Sequence, residues 1–267
     1  FGELYNVANN QTYKFVDSKT IHIPSISVTG RKNVNRDAID GNFQRNVDNS
    51  FETKTLTFYR EWSTSIDPAD VLDTNMILTI QNATKVFNEE QKFPEKDAYT
   101  ISKIYADWTA EGKQADKTVL SVDNVLIVFD KLMEAMDEAL VPSNGRLLYV
   151  TPAVKTLLKQ ASQIGLSRNV QTGANTINRV VDRLDEIKLI SVPSFLMKTA
   201  YNFTTGFKPS DSAKQINLFL VHPSAILTPS KYAFVGMEAP AAGTKGDYIY
   251  YEKEYSVMCR ACGIDCM

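Results

Sequence analysis

The chain has 267 residues, 43% hydrophobic and 22% charged, with a formal net charge of -2. That length and composition suit one large domain or two intertwined subdomains around a sizeable core. The near-zero charge excludes a dedicated nucleic-acid binder, which would carry a basic excess or stripe. No apolar run approaches the roughly 18 residues needed to span a bilayer, so no membrane partner is expected.

The N-terminal segment Phe1-Gly2-Glu3-Leu4-Tyr5 lacks a signal-peptide pattern, and folding in a cytoplasm is expected. Thr20 to Thr29 alternates Ile21 and Ile23, then Ile26 and Val28, with a change of phase at Pro24. This predicts a strand pair or a kinked strand. About twenty polar residues follow, within which Ile39, Phe43 and Val47 are spaced by four as in a short helix. Glu52 to Trp62 sets Leu56 and Phe58 against Thr55, Thr57 and Tyr59, a strand pattern.

Asp67-Pro68-Ala69-Asp70 has the chemistry of a helix start: a capping carboxylate, proline in the first turn, and an acid at the positive end of the dipole. Leu72, Met76, Ile80, Ala83 and Phe87 then recur at steps of three and four, predicting a long amphipathic helix to about Gln91. A second helix is predicted from Pro94 to about Gly112, burying Ala98, Ile101, Tyr105 and Trp108. A third is predicted over Asp123 to Leu140. Pro142-Ser143-Asn144-Gly145 reads as a turn into a strand at Arg146–Val150, and Thr151-Pro152 caps a helix to about Ala161. Gly165 to Asn178 reads as a polar loop. Strands are predicted at Ile187–Val192, at Ile216–Val221, and along the aromatic tail Asp247–Cys259. The sum is an α+β chain with strands towards both ends and helices between.

Candidate chemistry is sparse. His22 and His222 are far apart, and no Gly-x-Ser-x-Gly elbow accompanies them. Cys259, Cys262 and Cys266 cluster, but zinc wants a fourth ligand, for which His222 or Asp265 are the candidates. Packing as small apolar residues is the preferred reading of the three thiols. The acidic groups Asp67/Asp70, Glu89/Glu90, Asp182/Asp185/Glu186 and Glu252/Glu254 each have a plain account as a helix cap, a solvated helix end, a polar loop or a strand edge. No phosphate-binding glycine motif occurs. Trp62 and Trp108 read as core or interface anchors. We therefore expect no catalytic residue, no metal and no cofactor.

The ordered segments Arg146-Leu147-Leu148-Tyr149-Val150-Thr151-Pro152, Ile187-Lys188-Leu189-Ile190-Ser191-Val192-Pro193, Ile216-Asn217-Leu218-Phe219-Leu220-Val221-His222-Pro223-Ser224-Ala225 and Tyr250-Tyr251-Glu252-Lys253-Glu254-Tyr255 resemble the major capsid proteins of tailed bacteriophages with the Hong Kong 97 phage fold. The resemblance runs from about Thr20 over almost the whole chain. It implies an N-terminal arm (1–19), an extended loop hairpin (20–66), a peripheral domain with a spine helix (67–120), an axial domain (121–228), and return strands of the peripheral domain with a C-terminal tail (229–267). It implies a self-assembling icosahedral head shell, located in the virion and built in the host cytoplasm around double-stranded DNA. The implied partners are copies of itself in hexamers and pentamers, portal and scaffolding or decoration proteins, and packaged DNA in non-specific proximity. The extended loop would make intersubunit contacts through Arg31, Lys32, Arg36, Asp37, Ile39, Phe43, Arg45 and Val47. Typical relatives have a Lys- and Asn-rich segment after the final strand, where this chain has Arg260-Ala261-Cys262-Gly263. An encapsulin-like nanocompartment shell is the alternative within the fold, and a hydrolase with a cysteine or zinc site the alternative outside it.

Overall fold

The computed structural model describes residues 3, 14–17, 19–28, 47–73, 79–161, 183–228, 230–256 and 259–260. In chain order the first strands are β1 (Lys14–Phe15), β2 (Thr20–Val28), β3 (Val47–Thr55) and β4 (Phe58–Ile66). Helices α1 (Pro68–Asp73), α2 (Ile80–Phe87), α3 (Phe93–Ala110) and α4 (Val125–Glu138) follow. Then come β5 (Leu147–Val150), α5 (Pro152–Gln160), β6 (Arg183–Leu184), β7 (Ile187–Ser191), β8 (Tyr201–Asn202), β9 (Lys208–Pro209) and β10 (Leu218–Val221). The last elements are β11 (Ile226–Leu227), β12 (Ser230–Glu238), β13 (Tyr248–Ser256) and β14 (Cys259–Arg260).

Three of these elements correct the sequence-based expectations. Pro24 does not split its strand: β2 is a single nine-residue strand that pairs antiparallel with β3 from Thr20↔Thr55 to Val28↔Val47. β1 covers β2 only at Ile21 and His22, and a proline is tolerated in a strand with an open edge. Val47 belongs to β3, so the helical spacing of Ile39, Phe43 and Val47 does not describe it; Ile39 and Phe43 lie outside the described residues. The pattern from Glu52 to Trp62 is two strands in different sheets. The chain leaves β3 at Thr55, buries Leu56 and Phe58, and enters β4.

The helices differ more. The expected break at Pro94 is absent, and a break before Ile80 replaces it. Thr79 caps α2, its side chain accepting from Asn82 N at 3.2 Å. From Ile80 the helix runs unbroken to Ala110 through one π turn, Asn88–Lys92. In that turn Phe93 N–H donates to Asn88 O, an i→i−5 bond. A proline in a helix lacks a donor and crowds the carbonyl four residues back. The wider turn directly before Pro94 absorbs that conflict.

The main core lies between helices α3, α4 and α5 and a mixed sheet of order β10-β5-β7-β6, with β5 parallel to β7. Leu148, Val150, Phe129, Leu158 and Val192 are buried there. A second sheet, β12-β13-β4, is antiparallel throughout and long. Ile66, Ile80 and Tyr250 form its small core with Trp62, Val71 and Ala83. The continuous helix belongs to both: Ile80 packs in the small core, and Ala98, Ile101 and Ile104 in the large one.

Two buried polar groups in the main unit behave oppositely. The Arg146 side chain is fully buried and donates to Asp137 Oδ1 (2.6 Å), Val141 O (2.6 Å) and Pro142 O (3.0 Å), closing the C-terminal end of α4. The turn behind it is held by Gly145 at φ 89°, a conformation that glycine adopts without strain. The Tyr149 ring stacks on Phe219 at 4.9 Å, but its hydroxyl has no hydrogen-bond partner among the described residues. Burial pushes that phenol well above its ordinary range, helped by the charges of Glu3 and Asp97. Tyr149→Phe is expected to be neutral or to stabilise by up to about 1 kcal/mol, because it removes an unsatisfied buried group. Arg146→Leu is expected to cost about 2–3 kcal/mol, because it orphans two carbonyls at a helix end. Urea unfolding midpoints of the two variants check both signs.

Candidate functional site

The helix Ile80–Ala110 lies along β4 and β13, and the fit is a matter of pitch. Four residues of α-helix advance about 6 Å, and two residues of strand about 6.7 Å. Helix steps of four therefore match strand steps of two from Glu95 to Tyr99 against Arg60 and Phe58, and from Lys92 to Lys96 against Glu252 and Glu254. From Phe87 to Glu95, by contrast, the helix takes eight residues against the one strand step from Trp62 to Arg60. On β4 the sequence alternates Phe58, Arg60 and Trp62 with Tyr59, Glu61 and Ser63. The first set meets the helix. Trp62 stacks flat on Phe87 at 3.8 Å, Arg60 Nε lies 2.5 Å from Glu95 Oε1, and Phe58 packs on Tyr99 at 4.3 Å. On β13 the neighbouring row does the same: Lys92 Nζ donates to Glu252 at 2.9 Å and Lys96 Nζ to Glu254 at 2.7 Å.

The π turn keeps this row in phase. Phe87 and Glu95 are eight residues apart, which in a regular helix overshoots two turns by about 80°. One residue absorbed in the wide turn leaves about seven effective steps, within about 20° of two full turns. Both side chains then face β4.

Magnitudes separate the roles. Each of these ion pairs keeps some solvent contact, and such pairs contribute on the order of 1 kcal/mol or less. The stacked and tilted rings bury far more apolar area and add about 0.5–1.5 kcal/mol per pair beyond that. The aromatics supply adhesion, and the ion pairs fix the register. Arg60 also donates to Phe203 O (2.6 Å) and Gly206 O (3.2 Å), tying the β8–β9 turn to the same seam. Tyr250 donates to Glu252 at 3.0 Å, and burial together with that carboxylate raises its phenol to about 12. A cleft of about 290 Å³ remains between Arg60, Lys92, Glu95, Lys96, Glu252 and Glu254. Its charges are paired with one another, which suits a structural joint rather than acid–base work.

Other candidates take structural places. His222 caps a short 3-10 turn, its Nδ1 2.6 Å from Ser224 Oγ and its Nε2 3.1 Å from Asn144 O. His22 lies against the Phe51 ring at 6.0 Å. Asp67 Oδ1 accepts from Ala69 N at 2.8 Å at the start of α1. Cys259 is in β14, while Cys262 and Cys266 lie outside the described residues. Among the described residues no group of three His, Cys, Asp or Glu side chains is placed to hold a metal ion, and no helix is long and apolar enough to cross a membrane. Of the loop contacts, Arg31, Lys32, Arg36, Asp37, Ile39, Phe43 and Arg45 lie outside the described residues. Val47 ends the β2–β3 hairpin with about half its surface exposed.

Glu252 and Glu254 are not strand-edge charges, because β13 is the central strand of its sheet. Arg60, Lys92, Glu95 and Lys96 were not singled out by sequence. Their signals, a period of two on the strands and of four on the helix, are present but do not reveal which helix meets which strand.

No family model matches the chain, and no curated protein matches it. Solved structures do. The chain is similar to the mature capsid of bacteriophage PhiM1 (TM-score 0.60, 12% identity, 91% of this chain and 79% of that one). It is similar to the capsid of cyanophage P-SCSP1u (TM-score 0.60, 12% identity, 91% and 81%). It is similar also to the capsid of cyanophage Pam1 (TM-score 0.58, 13% identity, 98% and 83%). The architecture is thus the α+β Hong Kong 97-type capsid fold, over most of the chain's length.

The pH dependence of the seam is testable. Burial raises the Glu95 carboxyl above its ordinary value, against the lowering influence of Arg60 and Lys96. A raised folded-state value means that the fold binds the proton more tightly. The resulting stabilisation is complete below the unfolded value near 4.5 and is lost as pH rises through the folded value. Glu95→Gln is expected to flatten the part of the stability profile that lies above the unfolded value near 4.5. Unfolding midpoints across that range check it, and an unchanged profile would contradict the assignment.

Proposed function

We propose that the chain is the major capsid protein of a tailed bacteriophage, a subunit that self-assembles into the icosahedral head shell around double-stranded DNA. One observation carries this: a capsid-type fold covers 91–98% of the chain in the phage capsid structures compared above. That fold supports a structural rather than a catalytic role. The nanocompartment alternative shares the architecture, but the phage capsids are the likenesses that support a head shell.

In this reading the peripheral domain is the long helix with the sheet β12-β13-β4, which draws Phe58–Ile66 from the extended loop hairpin expected over 20–66, and the axial domain around local symmetry axes is the rest of the main core. The β2–β3 hairpin is the stem of the intersubunit arm. A two-stranded stem is marginal alone and needs another surface. Its tip offers Arg31, Lys32, Arg36, Asp37 and Arg45 as ion-pair partners to a neighbouring copy, with Ile39, Phe43 and Val47 for burial. Rim charges of this kind set register more than affinity. The partners are copies of the chain in hexamers and pentamers, with portal, scaffolding or decoration proteins and packaged DNA. The location is the virion, after assembly in the host cytoplasm.

Electron microscopy of the purified protein, with a scaffolding factor supplied if needed, is expected to show closed shells or capsomers. A monodisperse monomer under every such condition would overturn the reading. Joining Gly30 directly to Phe51 is expected to leave circular dichroism near native while abolishing or misdirecting assembly. Normal shells from the shortened protein would remove the arm from the account.

A further inference from the structure

The face of the sheet β12-β13-β4 turned away from the helix carries a row that the seam does not use. Each of the three strands contributes one tyrosine to it. Tyr59 on β4 lies directly across from Tyr255 on β13, and Tyr255 lies across from Tyr232 on β12. The alternation that points Phe58, Arg60 and Trp62 at the helix, with Glu252 and Glu254, turns these three rings to the other side. The rings touch. Tyr59 and Tyr255 have centroids 4.1 Å apart with planes at 45°, and Tyr255 and Tyr232 have centroids 5.5 Å apart with planes at 29°.

Cross-strand aromatic pairs stabilise a sheet by packing. Packing needs only a ring, and phenylalanine would serve. Here all three are phenols, and the outer two are open to solvent, Tyr59 at 39% and Tyr232 at 45% exposure. Tyr255 between them is half-buried. Lys19 Nζ stands over the Tyr59 ring, 5.7 Å from its centroid, and helps to hold it in place. Other tyrosines lack one condition or the other. Tyr149 and Tyr250 are buried. Among the described residues both ring contacts between tyrosines share Tyr255, so exposed Tyr248 has none.

We infer that this row is an oxidative modification site, at which Tyr59 and Tyr255 are joined as dityrosine. The co-reactant is a peroxide consumed by a haem peroxidase. The oxidant takes one electron and the phenolic proton from each ring. Each phenoxyl radical shares its unpaired electron with the carbons beside the oxygen. A bond forms between one such Cε of each ring. The hydrogen on each joined carbon then moves to the phenol oxygen, which restores both rings. Two tyrosines lose two hydrogen atoms in all, and one hydrogen peroxide becomes two waters. Half-buried Tyr255 is reached through its neighbours: a radical on exposed Tyr232 regains its electron and proton from Tyr255. The shorter gap makes Tyr59 the preferred partner in the bond, with Tyr232 the second.

The bond staples β4 to β13, strands from opposite ends of the chain. A cross-link that closes so long a loop restricts the unfolded chain more than a short one does. The site stands on the geometry of the sheet and is independent of the shell reading.

The test oxidises the purified full chain at low concentration with hydrogen peroxide and a haem peroxidase, using equal parts of unlabelled and nitrogen-15 protein. The expected product is a single-chain species with dityrosine fluorescence, two hydrogens lighter, whose digest joins residues 59 and 255 within one isotope. Its urea unfolding midpoint is expected to lie above that of the untreated chain. Tyr255→Phe keeps the ring and is expected to abolish single-chain dityrosine. Tyr59→Phe is expected to move the joint to residues 232 and 255, and Tyr248→Phe to change nothing. If Tyr255→Phe alters the circular dichroism, Tyr59→Phe with Tyr232→Phe carries the same test, because it too leaves Tyr255 without a phenol neighbour. No single-chain dityrosine, joints only between copies or at other tyrosines, or a yield undiminished in these variants would overturn the inference. A joined chain that unfolds at the midpoint of the untreated one would overturn the staple.

Discussion

The structure depends on one helix serving two cores. From Ile80 to Ala110 the chain is a single rod, bonded through a π turn, with one end in the small core beneath β4 and β13 and the other in the large core beside β5. Among the described residues no strand of the main sheet pairs with a strand of the long antiparallel sheet. Their relative placement is set by the side chains that seat the rod: Trp62 on Phe87, Arg60 at Glu95, Phe58 on Tyr99, Lys92 and Lys96 on Glu252 and Glu254. The pitch match of helix and strand makes a continuous seam possible, and the π turn preserves it past Pro94.

That division of labour suits the shell subunit proposed above. A subunit repeated many times must hold a fixed shape while small adjustments occur at its contacts. Rings and aliphatic side chains give the seam its strength without demanding one geometry, whereas paired charges resist a slip of one residue, which would set like charges together. The sheet also separates its two tasks by face. One face of β4 and β13 is committed to the helix. The opposite face carries a tyrosine row in which Tyr59 and Tyr255 lie 4.1 Å apart and Tyr255 and Tyr232 5.5 Å apart.

Much of the architecture was legible in the sequence. Thr151-Pro152 marked the start of α5, and the runs at Leu147, Ile187 and Leu218 marked the buried strands of the main sheet, because local capping and apolar continuity dominate there. The errors were also physical. Pro94 is an ordinary helix-start signal, and only the i→i−5 bond from Phe93 to Asn88 shows how the helix passes it. The alternation through Leu56 and Phe58 continues across the point where the chain changes sheets, so period alone does not place that boundary. Glu252 and Glu254 looked like strand-edge charges because sequence does not tell a central strand from an edge. The seam was the least legible part, since Arg60, Glu95 and Glu252 are brought together from segments far apart in the chain.

If the rod couples both cores, the molecule opens as one cooperative unit. Native-state hydrogen exchange measures this directly. Amides of residues 84–92, in the half seated on β4 and β13, are predicted to exchange with the same opening free energy and denaturant dependence as amides of residues 97–108 in the main core. Exchange of the first group through a separate, lower-energy opening, with the second still protected, would contradict the account.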